Sequence, residues 1–430
     1  MTVTDLDQLC AADGSWVRRS VITDPELHEL ERRKIFGRCW LVVAHESQIP
    51  EPDDYVTGWM GEEPVVVARD RRGDIHVTLN SCSHRASKVC RADRGNARVF
   101  TCPNHGWQFD NTGRLLGLPQ ITDGYPSDLD REQLSLVAAK RVAVFCGFVF
   151  ATFDADAPDL LDYLGDAARF LEVTFGRYEG GMEVLEGSQR SLIDCNWKLA
   201  AENLGTDLQH PEVAHGAFMD VWPDETMAFM KASEQIVLRD DAPIGHSICI
   251  GRRPPPATEA HLVVPMIEDP DRRAEVQDWY DTTNAAAAEA FGIDLTDLYV
   301  FTGSVFPNLS FLPGVSAVYV CHPRGPLQME WQSWCLVPKS APPEVKAVLR
   351  QRFLIGSGPG GIILAEDAEN WADMTKASSS PVAEERPLHI GRGLGDEYRD
   401  PALPGVFAPM RSEHVQRNFW VNWRAALEAP

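Results

Sequence analysis

The chain has 430 residues, of which 44% are apolar and 24% charged, a globular composition that excludes a disordered or fibrous protein and suits two domains. Forty Lys and Arg stand against 63 Asp and Glu, a formal charge of −23 that repels phosphate backbones and excludes nucleic acid as a partner class. No run approaches the ~18 consecutive apolar residues of a membrane span, and the opening Met1-Thr-Val-Thr-Asp-Leu-Asp carries no secretion signal, so a cytoplasmic protein with no membrane partner is expected.

Asp24-Pro-Glu-Leu-His-Glu-Leu-Glu-Arg-Arg-Lys-Ile-Phe36 predicts a helix, with Asp24 as N-cap and Pro25 at the first helical position. From Trp40 to about Phe153 the pattern changes to short strands. Pro64-Val-Val-Val-Ala-Arg and Ile75-His-Val-Thr-Leu flank Asp70-Arg-Arg-Gly-Asp74, a hairpin turn. Arg141–Thr152 reads as one long β-rich run with Gly147 as a bulge. Beyond Asp154 the character is mixed. Helices are expected over 159–175, 274–291, 343–354 and 412–427, and strands over 235–239, 299–322 and 329–337. Segment 240–272, rich in Pro, Asp and Arg, reads as loop.

Ten cysteines in a reducing compartment are seldom a disulfide framework. Most are isolated in apolar surroundings and read as small buried hydrophobes. Two have a histidine close by. Cys82-Ser-His84 and Cys102-Pro-Asn-His105 together offer two thiolates and two imidazoles. Zinc and iron are both candidates. A zinc finger expects both cysteines before both histidines, whereas each loop here supplies one of each. That arrangement suits a two-iron cluster with the cysteines on one iron and the histidines on the other.

A second constellation lies in Asn196-Trp-Lys-Leu-Ala-Ala-Glu-Asn203-Leu-Gly-Thr-Asp207-Leu-Gln-His210-Pro-Glu-Val-Ala-His215. His210 and His215 are five apart and would diverge on one continuous helix. Pro211 breaks the helix between them and can start a new one. Two histidines and one carboxylate complete a facial triad for non-haem Fe(II). The carboxylate is sought in Gly361-Ile-Ile-Leu-Ala-Glu366-Asp367-Ala-Glu369. Asp367 is the candidate ligand, while Glu366 and Glu369 read as a solvated helix face.

Cys-x-His-Arg with Cys-Pro-x-His-Gly-Trp resembles the Rieske [2Fe–2S] motif. Asn-Trp-Lys, Glu-Asn, Asp and His-x4-His resemble the catalytic domain of Rieske ring-hydroxylating oxygenases. The likeness runs through Phe306-Pro-Asn-Leu-Ser-Phe and Gln416-Arg-Asn-Phe-Trp to large (alpha) subunits of the naphthalene- and biphenyl-dioxygenase type. Three positions depart from the family pattern: Ala86 stands where Gly is usual, Asn104 where an aromatic residue is usual, and Gln209 where Tyr is common.

The resemblance implies an α+β protein. An all-β Rieske domain at 38–153 is inserted in a helix-grip-like catalytic domain, antiparallel sheet plus helices, at 1–37 and 154–430. It implies Cys82, His84, Cys102 and His105 on the cluster, and His210, His215 and Asp367 on a mononuclear Fe(II). It makes Asp207 a hydrogen-bonded bridge from His210 to a neighbouring subunit's cluster histidine, and so implies at least an alpha trimer, with a beta subunit as α3β3. NAD(P)H electrons would arrive through a reductase and a ferredoxin. An aromatic hydrocarbon or aromatic acid would receive both atoms of O2 as a cis-dihydrodiol. Asn203, Leu204 and Leu309 are expected at the substrate pocket, with Phe311 a weaker candidate. Arginines 252, 253 and 324 are read as surface residues. Two alternatives remain: a Rieske monooxygenase or demethylase with the same metals, and an electron-transfer Rieske protein without oxygenase activity.

Arg85, Lys88, Arg91, Arg94 and Arg98 lie between the two cluster loops with only Asp93 opposing, and Arg69, Arg71 and Arg72 sit on the adjacent hairpin. This basic collar is expected to dock an acidic electron donor.

Overall fold

A computed structural model describes residues 6–119, 125, 129–205, 207, 209–216, 230–239, 242–252, 259–292 and 298–429. The chain forms two compact units. One is Phe36–Leu160 and the other joins Met1–Ile35 to Leu161–Pro430.

The first unit is built from short antiparallel strands. Strands β1 (Leu41–His45), β2 (Asp54–Met60), β3 (Glu63–Arg69), β4 (Ile75–Leu79) and β5 (Arg94–Asn96) come first. They are followed by β6 (Val99–Thr101), β7 (Gln108–Asp110), β8 (Leu115–Gly117), β9 (Arg141–Phe145) and β10 (Phe148–Thr152). Three sheets result, ordered β4-β3-β2-β5, β6-β7-β8 and β9-β10-β1. Val65 to Ala68 of β3 are buried on both faces, which is why the run is continuously apolar. The Asp70 turn closes as the sequence expects: Asp70 Oδ1 accepts from the backbone N–H of Arg72 at 2.8 Å and of Asp74 at 3.0 Å.

The 141–152 run is two strands rather than one bulged strand. Phe145 pairs with Phe148, leaving Cys146 and Gly147 as a two-residue turn with φ of 49° and 83°. Two consecutive left-handed residues match the twist of a tight hairpin. A side chain at Gly147 would meet His45 Nε2 at 2.3 Å.

In the second unit, β11 (Met182–Val184), β12 (Gln189–Ile193), β13 (Glu234–Leu238), β14 (His246–Arg252) and β15 (Leu298–Val305) are joined by four more strands. These are β16 (Leu309–Leu312), β17 (Ala317–Pro323), β18 (Met329–Pro338) and β19 (Val406–Pro409). Among the described residues they form one antiparallel sheet, ordered β11-β18-β17-β16-β15-β14-β13-β19, with β12 also paired to β18. Helices of this unit include α1 (Pro25–Glu31), α2 (Trp197–Asn203), α3 (Pro211–Ala214), α4 (Pro270–Phe291), α5 (Pro343–Ser357), α6 (Ile362–Ser378) and α7 (His414–Glu428). The α+β fold is therefore present as expected.

Asp24 caps α1, its Oδ1 accepting from the Glu26 N–H at 2.8 Å. At the end of α1, Glu31 turns inward and meets Lys198 Nζ at 2.6 Å. The indole N–H groups of Trp197 and Trp423 donate to the same carboxylate at 2.9 and 2.7 Å. One buried ionic knot thus ties α1, α2 and α7 together.

Two expectations are corrected. Segment 240–272 is not loop throughout. Ile248, Cys249 and Ile250 are fully buried in β14, and Glu259–Val263 is helical. Asp269 caps α4 ahead of Pro270, so that helix begins earlier than expected. The helix expected over 159–175 is interrupted at Gly165, which takes a φ of 50°. No helix among the described residues is long and apolar enough to cross a membrane.

Candidate metal centres

The two Cys–His loops share one backbone design. In the first, the Cys82 N–H donates to Ser87 O and the Ala86 N–H to Cys82 O, at 2.9 and 2.8 Å. In the second, the Cys102 N–H donates to Trp107 O and the Gly106 N–H to Cys102 O, at 2.7 and 2.9 Å. Each loop turns through a left-handed residue four positions after its cysteine, Ala86 at φ 56° and Gly106 at φ 74°. Glycine reaches that conformation freely, whereas Ala86 pays about 1–2 kcal/mol for it.

The tight turns send the sulfurs inward and the imidazoles outward. Cys82 and Cys102 join the buried cluster of Val89, Phe100, Trp107 and Phe109. His105 is exposed and His84 half-buried. The two Nδ1 atoms lie 3.1 Å apart, and Trp107 stacks on His84 at 4.9 Å. Burial works against a Cys102 thiolate, but hydrogen bonds from the Asn104 backbone, the Cys82 side chain, the His105 backbone and the Ser87 side chain together hold its pKa down. Asn104 thus contributes through its backbone N–H. Two sulfurs on the inner side and two Nδ1 atoms on the outer side fit a cluster whose two irons take different ligands.

The second centre begins where α2 ends. Asp207 Oδ1 accepts from the Gln209 N–H at 2.9 Å and the His210 N–H at 3.3 Å, which sets the turn into α3. Pro211 opens that helix, and it lasts one turn. His210 and His215 flank it, their rings 5.1 Å apart. Gln209 fastens the turn from outside. Its amide donates to Ser412 O at 2.9 Å and its carbonyl accepts from Arg392 Nη1 at 2.6 Å.

Helix α6 brings in Asp367, which is buried. Its Oδ1 lies 3.3 Å from His210 Nε2 and 3.3 Å from His215 Nε2. Donors bound side by side to one ion with bonds of about 2.1 Å stand about 3 Å apart, so the trio has the size of a metal site. His215 Nε2 is buried with no hydrogen-bond partner, as a ligand atom would be. Burial opposes a charge on His210, but Asp207 and Asp367 outweigh it and lift its pKa to about 9. Burial likewise opposes the Asp367 carboxylate, and the two histidines more than compensate, so its pKa is lowered.

The structure corrects the reading of Glu366. It is not part of a solvated face, since its Oε2 lies 2.6 Å from His215 Nδ1. Glu369 is exposed as expected. Nothing in the local sequence separates these two carboxylates, because only the position of a loop far away in the chain does.

Asn203 and Leu204 end α2 half-buried, and Asn203 Nδ2 is buried without a partner. Leu309 and Phe311 are buried strand residues. Leu309 lines a small cleft with Ala201, Gly205 and Phe306, while Phe311 packs edge-on against Phe175. Arg252 and Arg324 are half-buried and ion-paired. Arg252 pairs with Glu234 and Asp400, both at 2.7 Å, and Arg324 with Glu330 at 2.9 Å. Arg253 lies outside the described residues.

Of the basic collar, Arg85, Lys88, Arg91, Arg94 and Arg98 are exposed, with Lys88 Nζ 4.9 Å above the Trp59 ring. On the adjacent hairpin Arg71 and Arg72 are also exposed, but all three arginines have partners there. Arg69 Nε donates to Ile49 O, Arg71 pairs with Asp53 and Arg72 with Asp70.

Comparison with known proteins identifies both parts of the chain. Residues 39–136 match the Rieske [2Fe-2S] domain, and 177–429 match the catalytic domain of the ring hydroxylating alpha subunit. The chain is 34% identical over 420 residues to biphenyl 2,3-dioxygenase subunit alpha of Rhodococcus jostii (strain RHA1), covering 95% of this chain and 88% of that one. It is 33% identical to benzene 1,2-dioxygenase subunit alpha of Pseudomonas putida, covering 99% and 94%. Naphthalene 1,2-dioxygenase from Rhodococcus sp., solved with indole bound, superposes with a TM-score of 0.81 at 33% identity, covering 96% and 95%. With a Rieske domain, an iron-binding catalytic domain and relatives along nearly its whole length, the chain belongs to the alpha subunits of the Rieske ring-hydroxylating dioxygenases.

Proposed function

We propose that this chain is the terminal oxygenase component that adds both atoms of O2 to one face of an aromatic hydrocarbon, giving a cis-dihydrodiol. The observation that carries the reading is the meeting of His210, His215 and Asp367 at one point. Two imidazoles and one carboxylate on one side of an ion are the facial donor set that leaves positions open for reaction. When bound, the cluster supplies electrons one at a time and the mononuclear iron supplies activation of O2.

In this reading residues 38–153 hold the cluster through Cys82, His84, Cys102 and His105, and residues 1–37 with 154–430 hold the iron. Asp207 shapes the ligand turn through Oδ1. Its Oδ2 lies 3.6 Å from His210 Nδ1, and the side chain stays partly exposed. That leaves it able to bridge His210 to the His84 or His105 of a neighbouring copy, so that activity requires an alpha trimer, with beta subunits as α3β3. In the same reading Asn203, with its buried unpaired amide, and Leu204 and Leu309 belong to the substrate pocket. The named relatives act on biphenyl and benzene. Arg252 and Arg324 are already held by the chain's own carboxylates, which favours a hydrocarbon over an aromatic acid.

Electrons come from NAD(P)H through a reductase and a ferredoxin. The exposed arginines beside the cluster loops attract an acidic donor, which speeds association and makes it sensitive to salt. The test is reconstitution with a reductase, a ferredoxin and NADH, followed by analysis of benzene, biphenyl and naphthalene products. The expected outcome is a cis-dihydrodiol from at least one. Reduction of the cluster with no oxygenated product from any aromatic would overturn the reading in favour of electron transfer alone.

A further inference from the structure

Asp367 has a neighbour on α6 to which the reading above gives no role. Glu366 precedes it by one residue, about 100° around the helix, so the two side chains leave the helix in different directions. They take opposite sides of one imidazole. Asp367 Oδ1 is 3.3 Å from His215 Nε2, and Glu366 Oε2 is 2.6 Å from His215 Nδ1.

A neutral imidazole carries one N–H and one lone pair. A carboxylate only accepts, so contact at 2.6 Å places the hydrogen on Nδ1. The lone pair is then on Nε2, which faces Asp367 and has no hydrogen-bond partner. The ring is buried, with 4% of its side chain exposed, while Glu366 reaches it from the partly exposed side of α6. His210 has no equivalent support. Its Nδ1 is 3.6 Å from Asp207 Oδ2, beyond a direct hydrogen bond. The two histidines are therefore unequal: His215 is anchored through Nδ1 by Glu366, and His210 is the looser of the pair.

We propose that Glu366 is a positioning residue for the mononuclear metal. It fixes His215 in the Nδ1–H tautomer, holds the plane of the ring and strengthens Nε2 as a donor, and so sets the metal affinity of the site. The inference rests on the reading of His210, His215 and Asp367 as ligands.

The test uses the full-length protein with its cluster retained and its mononuclear iron removed by a chelator. Co(II) is titrated in and followed by its visible absorption. Glu366→Ala raises the Kd for Co(II) by about 10–100-fold, the usual effect of losing such a partner. Glu366→Gln stays near the wild-type affinity, because its carbonyl oxygen still accepts from Nδ1. If the Ala variant does not fold, Glu366→Met removes the acceptor at similar side-chain length and gives the same loss. Wild-type Co(II) affinity in the folded Ala or Met variant overturns the proposal, as does equal weakening in the Gln variant. His215→Ala separates the two levels. Wild-type Co(II) binding there means the ligand reading itself has failed, whereas lost binding there with normal binding in Glu366→Ala means that only the Glu366 role has failed.

Discussion

Asp367 Oδ1 stands 3.3 Å from His215 Nε2, although one residue ends a one-turn helix and the other lies inside a long helix far downstream. Removing that carboxylate takes away the one acidic member of the donor set. Asp367→Ala should lose the mononuclear iron and all oxygenase activity. The cluster belongs to a separate compact unit and should keep its visible spectrum. Iron analysis of the purified variant checks this, with one iron per chain lost and the two of the cluster kept.

Asp207 offers a contrasting case. Its Oδ1 serves the backbone of the ligand turn and its Oδ2 lies toward His210 without a close bond. Asp207→Ala is expected to retain both metals and to reduce turnover by at least about 100-fold, the scale of a lost hydrogen-bonded partner in such sites. Stopped-flow measurement should show the cluster reduced at the normal rate but reoxidised slowly by substrate and O2. Normal reoxidation would remove Asp207 from the electron path.

The buried Glu31–Lys198 pair makes a stability prediction. Burial lowers the Lys198 pKa against the pull of Glu31, so each charge relies on the other. Lys198→Met leaves the Glu31 carboxylate without its cation and should cost about 3–5 kcal/mol. Arg33→Ala breaks a pair on the surface of the same segment, where both partners are exposed, and should leave the unfolding midpoint close to wild type because solvent screens the pair. Urea unfolding of the two variants reads the difference.

His246 predicts a dependence on pH. It is buried and neutral, with Nε2 2.8 Å from Tyr163 O and Nδ1 accepting from the Phe306 N–H at 3.3 Å. Burial pushes its pKa down to about 4. The unfolded chain takes up a proton near pH 6.5, which the folded chain refuses until about pH 4. Stability is therefore full above pH 6.5 and falls as the pH drops toward 4, by up to about 3 kcal/mol from this group. His322, pushed down to about 3, acts in the same direction. His246→Asn should flatten the fall in Tm between pH 6.5 and 4, while an unchanged slope would exclude His246 as its source.

Much of the fold and site could be read from local chemistry. Asp24 caps its helix, Asp70 closes its hairpin and Pro211 breaks the chain between two histidines, each because a single residue type has one favoured job there. What escaped depended on distant partners. Glu366 and Glu369 look alike in a helical sequence, and only the turn bearing His215 distinguishes them. Gly147 signals a left-handed residue, but whether that means a bulge or a turn depends on how Phe145 and Phe148 pair. The buried strand His246–Arg252 was hidden because its apolar stretch is short and polar, Pro-rich ends surround it. The ion pairing of Arg252 and Arg324 was hidden because their acidic partners are not adjacent in the sequence.

The central claim is that two metal centres in this chain serve one reaction, the addition of both atoms of O2 to an aromatic ring. A single turnover of the chemically reduced protein with 18O2 and an aromatic substrate that it accepts tests this without any electron-transfer partner. The account predicts a cis-diol with both oxygens labelled. A product carrying one labelled atom, with the second oxygen drawn from water or absent, would contradict it.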